Sequence, residues 1–169
     1  MFVDSPCKMC TFSLPVQIAG EGPMKPKLIV VGNAPTKDDE RTGVPFSGSN
    51  NKDRVSSSLI IRNALRSMQY DPYEEIYYSY AMRCNPYHRS QKMDVKPSHV
   101  NICRTTNLEA ELAKVDCPVI LGMGTQALQS LLPDAKGGIG KNRGKWHEVT
   151  IGGRKRLVRI TYDGATIDR

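Results

Sequence analysis

Three short apolar runs, each closed by a turn and followed by a stretch with helical spacing, set the strongest limit on how this chain folds. The first is Lys27-Leu28-Ile29-Val30-Val31-Gly32. Residues 54–69 follow it, with Val55, Leu59, Ile60, Leu65 and Met68 on one face of a helix. The second run is Ile76-Tyr77-Tyr78-Ser79-Tyr80-Ala81-Met82, and a helix is expected from Ser98, as N-cap, to about Val115. The third is Pro118 to Met123, closed by Gly124, with a short helix over Thr125 to Leu132 that Pro133 stops. Runs apolar on both faces and alternating with helices predict a mostly parallel sheet covered on both sides, a three-layer α/β/α sandwich. Two further strands, Trp146 to Ile151 and Arg156 to Tyr162, are joined by the hairpin signal Gly152-Gly153. Ligands of such sheets bind beyond the carboxyl ends of the strands. That directs attention to loop 33–53, loop 83–97 and the segment after Tyr162.

At 169 residues the chain is expected to form one domain, residues 1–169. No apolar run approaches the roughly 20 residues of a membrane span. Met1-Phe2-Val3-Asp4 lacks the basic and apolar regions of a signal peptide, so a cytoplasmic protein is expected. Neither Gly32-Asn33-Ala34-Pro35-Thr36 nor Gly137-Gly138-Ile139-Gly140-Lys141 has the spacing of a nucleotide-phosphate loop.

The net charge of +7 is unevenly placed. Residues 136–169 carry nine basic and three acidic side chains, so nearly all the excess lies in the last fifth of the chain. A concentrated basic surface attracts polyanions. Lys141, Arg143 and Lys145, in a Gly-rich loop, read as phosphate contacts. Arg154-Lys155-Arg156 reads as a solvated hairpin end, and His88 and His147 as surface residues or phosphate contacts.

Five cysteines in a chain with no secretory signal argue against a disulfide framework. Cys7-Lys8-Met9-Cys10 has the spacing of two thiolates on one metal centre, which needs two further ligands. Four thiolates suit zinc or an iron–sulfur cluster equally on chemistry alone. Cys84 and Cys103 are either further ligands or buried small hydrophobes. Cys117, before an apolar run, reads as a buried structural thiol.

These motifs together resemble the iron–sulfur uracil-DNA glycosylases of the family-four and family-five types, over nearly the whole chain. The family's first active-site loop, roughly G-E-A-P-G-x-x-E-D-x-x-G-x-P-F-x-G, aligns without a gap to Gly32 through Gly48. Its segment T-N-x-x-K-C-R-P-P aligns to Ser79 through Tyr87, and Arg143-Gly144-Lys145-Trp146 resembles its basic segment. Its final T-Y-H-P and L-L-R match Thr161 to Gly164 and Thr166 to Arg169.

The resemblance implies a 4Fe-4S cluster on Cys7, Cys10, Cys84 and Cys103, with zinc as the fallback, and DNA as the partner of a monomer. It places Phe46 as the ring on which a flipped base stacks, and Asp39 as the carboxylate that orients water. The chain departs from the family at three positions. Asn33 stands for the loop's first Glu, Tyr80 for the Asn that reads the uracil edge, and Asp163 for the His that stabilises the departing base. A phenol cannot copy an amide's paired donor and acceptor, and a carboxylate opposes a developing anion unless protonated. Two readings follow: a glycosylase acting on uracil or a modified base, with Asp39 and Asp163 catalytic and Asn33, Phe46 and Tyr80 at the base; or an inactive module of this fold that works by binding nucleic acid or protein. Family members continue into a further helix, so a fragment, fusion module or trimmed variant is expected.

Overall fold

The computed structural model describes residues 7, 10, 16–48, 56–87 and 93–167. Five strands form one sheet in the order β2-β1-β3-β5-β4. They are β1 (Leu28–Gly32), β2 (Ile76–Tyr80), β3 (Val119–Met123), β4 (Trp146–Ile151) and β5 (Arg154–Thr161). β1, β2, β3 and β5 run parallel, and β4 closes the edge antiparallel to β5. The expected mostly parallel α/β sheet is therefore observed. All four parallel strands deliver their carboxyl ends to one edge, which gathers Asn33, Tyr80 and Asp163 there.

The alternation of each strand sorts the core onto two faces. Ile29, Val31, Tyr77, Ile120, Val158 and Ile160 face one core, together with Leu108, Leu112, Leu128 and Leu131. Helices α4 (Glu109–Leu112) and α5 (Thr125–Leu131) supply that cover. Val30, Ile76, Tyr78, Tyr80 and Met123 face the other, against Phe46 and against Ile61 and Leu65 of α2 (Ser57–Ser67). This second layer stops short. No described helix covers the same face of β5 and β4, where Trp146 is 54% and Leu157 43% exposed.

Several expectations are corrected in detail. Loop 33–53 contains the short helix α1 (Lys37–Thr42), and the Gly-rich loop contains α6 (Ile139–Asn142). The buried Asn142 amide shapes that loop by donating to the carbonyls of Lys136, Gly137 and Gly138. Ser98 is not an N-cap: α3 (Pro97–Cys103) begins one residue earlier, with Lys96 as its cap. Proline is favoured there because its missing N–H is one the helix leaves unpaired. The His99 Nδ1 accepts the Lys96 N–H at 3.2 Å. The expected helix to Val115 is also not uniform, since a π turn over Arg104–Leu108 separates α3 from α4. Short α7 (Gly164–Ile167) follows β5. No helix among the described residues is long and apolar enough to cross a membrane. His88 lies outside the described residues.

Arg156 overturns the reading of a solvated hairpin end. It is 2% exposed. Its guanidinium donates to the carbonyls of Leu112 at 2.6 Å, Val115 at 2.8 Å, Ile151 at 3.4 Å, and Cys117. Leu112, Val115 and Cys117 lie at and just beyond the end of α4, where unpaired carbonyls concentrate negative charge, and Ile151 ends β4. A planar donor fork satisfies several at once, which a single ammonium cannot do. Cys117 is buried, as expected. Replacing Arg156 by Ala is expected to destabilise the fold by about 3 kcal/mol, a fall in Tm of roughly 6–12 °C, and Lys to recover only part of it. Thermal unfolding of the two variants checks this, and an unchanged Tm for the Ala variant refutes the bolt-like role of Arg156.

Candidate base-binding site

The loop after β1 is built around one carboxylate. Asp39 has 0% exposure. Its Oδ2 accepts from the Thr36 N–H at 2.7 Å, the Thr36 hydroxyl at 2.8 Å and the Tyr80 hydroxyl at 2.9 Å. Its Oδ1 accepts from the Ser47 N–H at 2.8 Å and the Ser47 hydroxyl at 3.0 Å. Thr36 and Asp39 form the capping box that starts α1. The same carboxylate thus starts a helix, folds residues 43–47 back over it and holds the end of β2. Both of its oxygens are engaged.

Phe46 lies inside this loop, 3% exposed, with φ of 55°. A left-handed backbone is unfavourable for a residue with a Cβ and needs a partner to hold it. The Tyr80 hydroxyl supplies one, accepting the Phe46 N–H at 3.0 Å while donating to Asp39. The two rings stack nearly parallel, with centroids 4.8 Å apart and planes 4° from each other. Tyr78 covers Phe46 from a second direction at 5.1 Å and 39°. Gly32 leaves room for the stack: a Cβ there would stand 2.8 Å from the Phe46 ring and 2.9 Å from the Tyr80 ring.

Asn33 and Asp163 meet at the carboxyl edge of the sheet. The Asn33 amide donates to Asp163 Oδ2 at 3.1 Å, and the Ser57 hydroxyl donates to Asp163 Oδ1 at 2.8 Å. The Asn33 carbonyl accepts from the N–H groups of Gln126 and Ala127 at 2.9 and 3.3 Å, tying the loop to the start of α5. Gly124, at φ of 98°, lets Asn33 approach, since a Cβ there would lie 2.2 Å from the amide. Both Asn33 and Asp163 are half-buried. Asp39 and Tyr80 are in direct contact, and the charge of Asp163 also acts on the Tyr80 hydroxyl.

The cysteines gather on a flank. Cys84 and Cys103 are buried with Met82 and Val100, and Cys10 packs against them. Cys7 is 2% exposed, and the Cys10 N–H donates to its carbonyl at 2.9 Å. The Asn107 amide, brought in by the π turn, lies 3.8 Å from the Cys7 sulfur and 4.0 Å from that of Cys103. Burial pushes the Cys103 thiol up, while a backbone hydrogen bond from Arg83 pulls the other way. Among the described residues no three of these side chains close into a metal-holding group. The donor set itself, four thiols drawn to one flank, suits a four-thiolate centre.

Lys141, Arg143 and Lys145 are exposed. Arg143 lies over the Tyr162 ring at 5.1 Å. His147, expected at the surface, has its Nε2 3.1 Å from the Asn142 carbonyl and so helps hold the loop. Sequence reasoning missed Thr36, Ser47 and Ser57. A hydroxyl three residues before an Asp is a recognisable cap signal for Thr36, but nothing local marks Ser57, which reaches Asp163 from 106 residues away.

A mostly parallel α/β sheet thus carries a stacked aromatic pair, a buried loop carboxylate and a polar pair at its carboxyl edge. The sequence pattern of the Uracil DNA glycosylase superfamily matches residues 19–165, and the chain belongs to that superfamily. It is also similar to the Type-4 uracil-DNA glycosylase of Archaeoglobus fulgidus, with 27% identity over 153 residues, covering 89% of this chain and 71% of the relative.

Three tyrosines of β2 are protected by burial, which pushes Tyr77, Tyr78 and Tyr80 up, Tyr78 from 10.0 to about 12. The folded state therefore holds these protons more tightly than the unfolded state. The stabilisation is complete below pH 10 and is lost as pH rises toward and through the folded values. An alkaline titration followed by near-ultraviolet absorbance should show these three of the seven tyrosines ionising only as the protein unfolds. All seven titrating together in folded protein near pH 10 would contradict the buried stack.

Proposed function

We propose that this chain is a DNA-binding protein of the glycosylase fold whose base site is closed by its own Tyr80, so that it engages DNA without excising uracil. The observation that carries this reading is the Tyr80 ring lying parallel on Phe46, with its hydroxyl satisfied on both sides by Asp39 and the Phe46 N–H. A planar ring stacked on Phe46 and hydrogen-bonded at its edge fills the place a flipped base takes, and it leaves Asp39 no exposed surface with which to orient water. Lys141, Arg143 and Lys145 are the phosphate contacts in this reading, which makes DNA binding salt-dependent.

A second reading is favoured by the Asn33–Asp163 pair, which keeps polar groups at the pocket's edge. In it Tyr80 swings aside for a base other than uracil. The bond between C1′ and the base nitrogen breaks, the oxygen of a water bonds to C1′, and the base leaves with the bonding electrons and takes up a proton. Asp39 would then orient the water, and Asp163 would accept from an exocyclic amine of the base.

Cys7, Cys10, Cys84 and Cys103 are proposed to hold a 4Fe-4S cluster, with zinc as the other occupant a four-thiol set suits. The cluster would supply cross-linking of the N-terminal segment to α3, so its assembly would be linked to folding. Protein prepared without oxygen should contain iron and acid-labile sulfide, and chelation should lower its Tm. Colourless, iron-free protein from that preparation refutes the cluster.

Base release separates the two readings of the pocket. Wild-type protein and the Tyr80→Gly variant are incubated with uracil-containing, normal and modified DNA, and free bases are measured by mass spectrometry. The closed pocket predicts DNA binding with no uracil release by the wild type. Uracil release by the wild type overturns it. Release of another base, abolished in Asp39→Asn with DNA binding intact, establishes the second reading.

A further inference from the structure

The uncovered face of β4 and β5 divides sharply in charge. Near the hairpin end, Lys155 pairs with Glu148 at 3.2 Å. At the opposite end, no carboxylate among the described residues lies within ion-pair distance of Lys141, Arg143, Lys145 or Arg159. One aromatic ring stands among these cations on the uncovered face: Arg159 lies 5.3 Å from the centroid of Trp146. Trp146 is 54% exposed. Exposed Trp146 and Leu157 share this face beside the Arg159 guanidinium, and an apolar patch rimmed by polar groups marks an interaction surface.

The register puts this shelf on the same face of the sheet as the aromatic pocket. Trp146 is opposite Arg159, Arg159 is beside Leu121, and Leu121 is beside Val30, which shares the core of Tyr78, Tyr80 and Phe46. Four strand spacings separate β2 from β4, roughly 19 Å at ~4.8 Å each. We propose that this shelf is a single-strand stacking site. An unpaired base of the DNA stacks on Trp146, and the flanking phosphates are met by Arg159 and by Lys145 just before β4. Rings with a π-face accept any base, and cations between them track the backbone, the combination that single-strand binding surfaces use. The pairing of an exposed ring with neighbouring cations fits a polyanion whose units each carry a flat base and a phosphate, rather than an acidic peptide.

This rests on the reading of the chain as a DNA binder, and one measurement tests the two separately. Trp146 is the only tryptophan, so its fluorescence reports this shelf alone. Short oligothymidylate is titrated into the full-length protein, with an oligomer of abasic sugar-phosphate as the control. Quenching by oligothymidylate, little quenching by the abasic oligomer, and about tenfold weaker binding of Trp146→Ala measured by anisotropy support the shelf. Trp146→Phe, which keeps a ring, should recover much of the affinity, and Arg159→Ala should lower both the affinity and the steepness of its salt dependence. Binding of both oligomers with unchanged fluorescence, and unchanged affinity in Trp146→Ala, refutes the shelf but leaves DNA binding standing. No binding of either oligomer or of duplex DNA refutes both, and so does a protein that covers Trp146 and is not displaced by DNA.

Discussion

The two oxygens of Asp39 collect five hydrogen bonds from three separate pieces of chain, and the mouth of the sheet takes its shape from that convergence. Charge-assisted bonds to a buried carboxylate are stronger than neutral ones, and a carboxylate with no solvent needs them to offset its desolvation. Thr36 makes the first turn of α1 form where it does, Ser47 folds the loop back, and Tyr80 locks the end of β2 to both. The left-handed Phe46 sits between these anchors, and its unfavourable backbone persists because the surrounding bonds over-determine it. Loss of any anchor therefore acts on the ring stack as well as on the loop.

Much of this architecture was legible in the chain. Lys27–Gly32, Ile76–Met82 and Pro118–Met123 read as strands because their residues are apolar and branched or aromatic on both faces, and a sheet sandwiched between helices demands just that. The edge at which the site forms followed from parallel order. Ser98 misled because hydroxyls favour caps, yet Pro97 beside it fits the first helical position better. The π turn over Arg104–Leu108 has no signature in spacing, since one extra residue in a turn looks like ordinary helical drift. Arg156 was the largest surprise. Three consecutive cations on a hairpin look solvated, and only the tertiary fold reveals that the last of them, Arg156, faces inward onto the carbonyls beyond α4.

The site itself was legible as residue types and not as relations between them. Asn33, Asp39, Phe46, Tyr80 and Asp163 were all identifiable from their place in the motifs. That Tyr80 lies flat on Phe46, or that Asn33 and Ser57 hold Asp163 between them, depends on side-chain directions set by residues up to 130 positions apart. The same limit applies to the sheet's bare side. Alternation predicts which residues of β4 and β5 share a face, and does not say whether a helix covers it.

The Tyr80–Phe46 stack also has a kinetic and competitive meaning. A ring built into the chain is present at its own site at an effective concentration that no freely diffusing base reaches, because tethering removes the translational cost of arrival. Only a base carried on a strand already held by the protein would enjoy a comparable advantage. Occupancy of the pocket would then be a contest between two tethers, and its outcome would be set by how firmly the strand is held outside the pocket rather than by the affinity of the base alone.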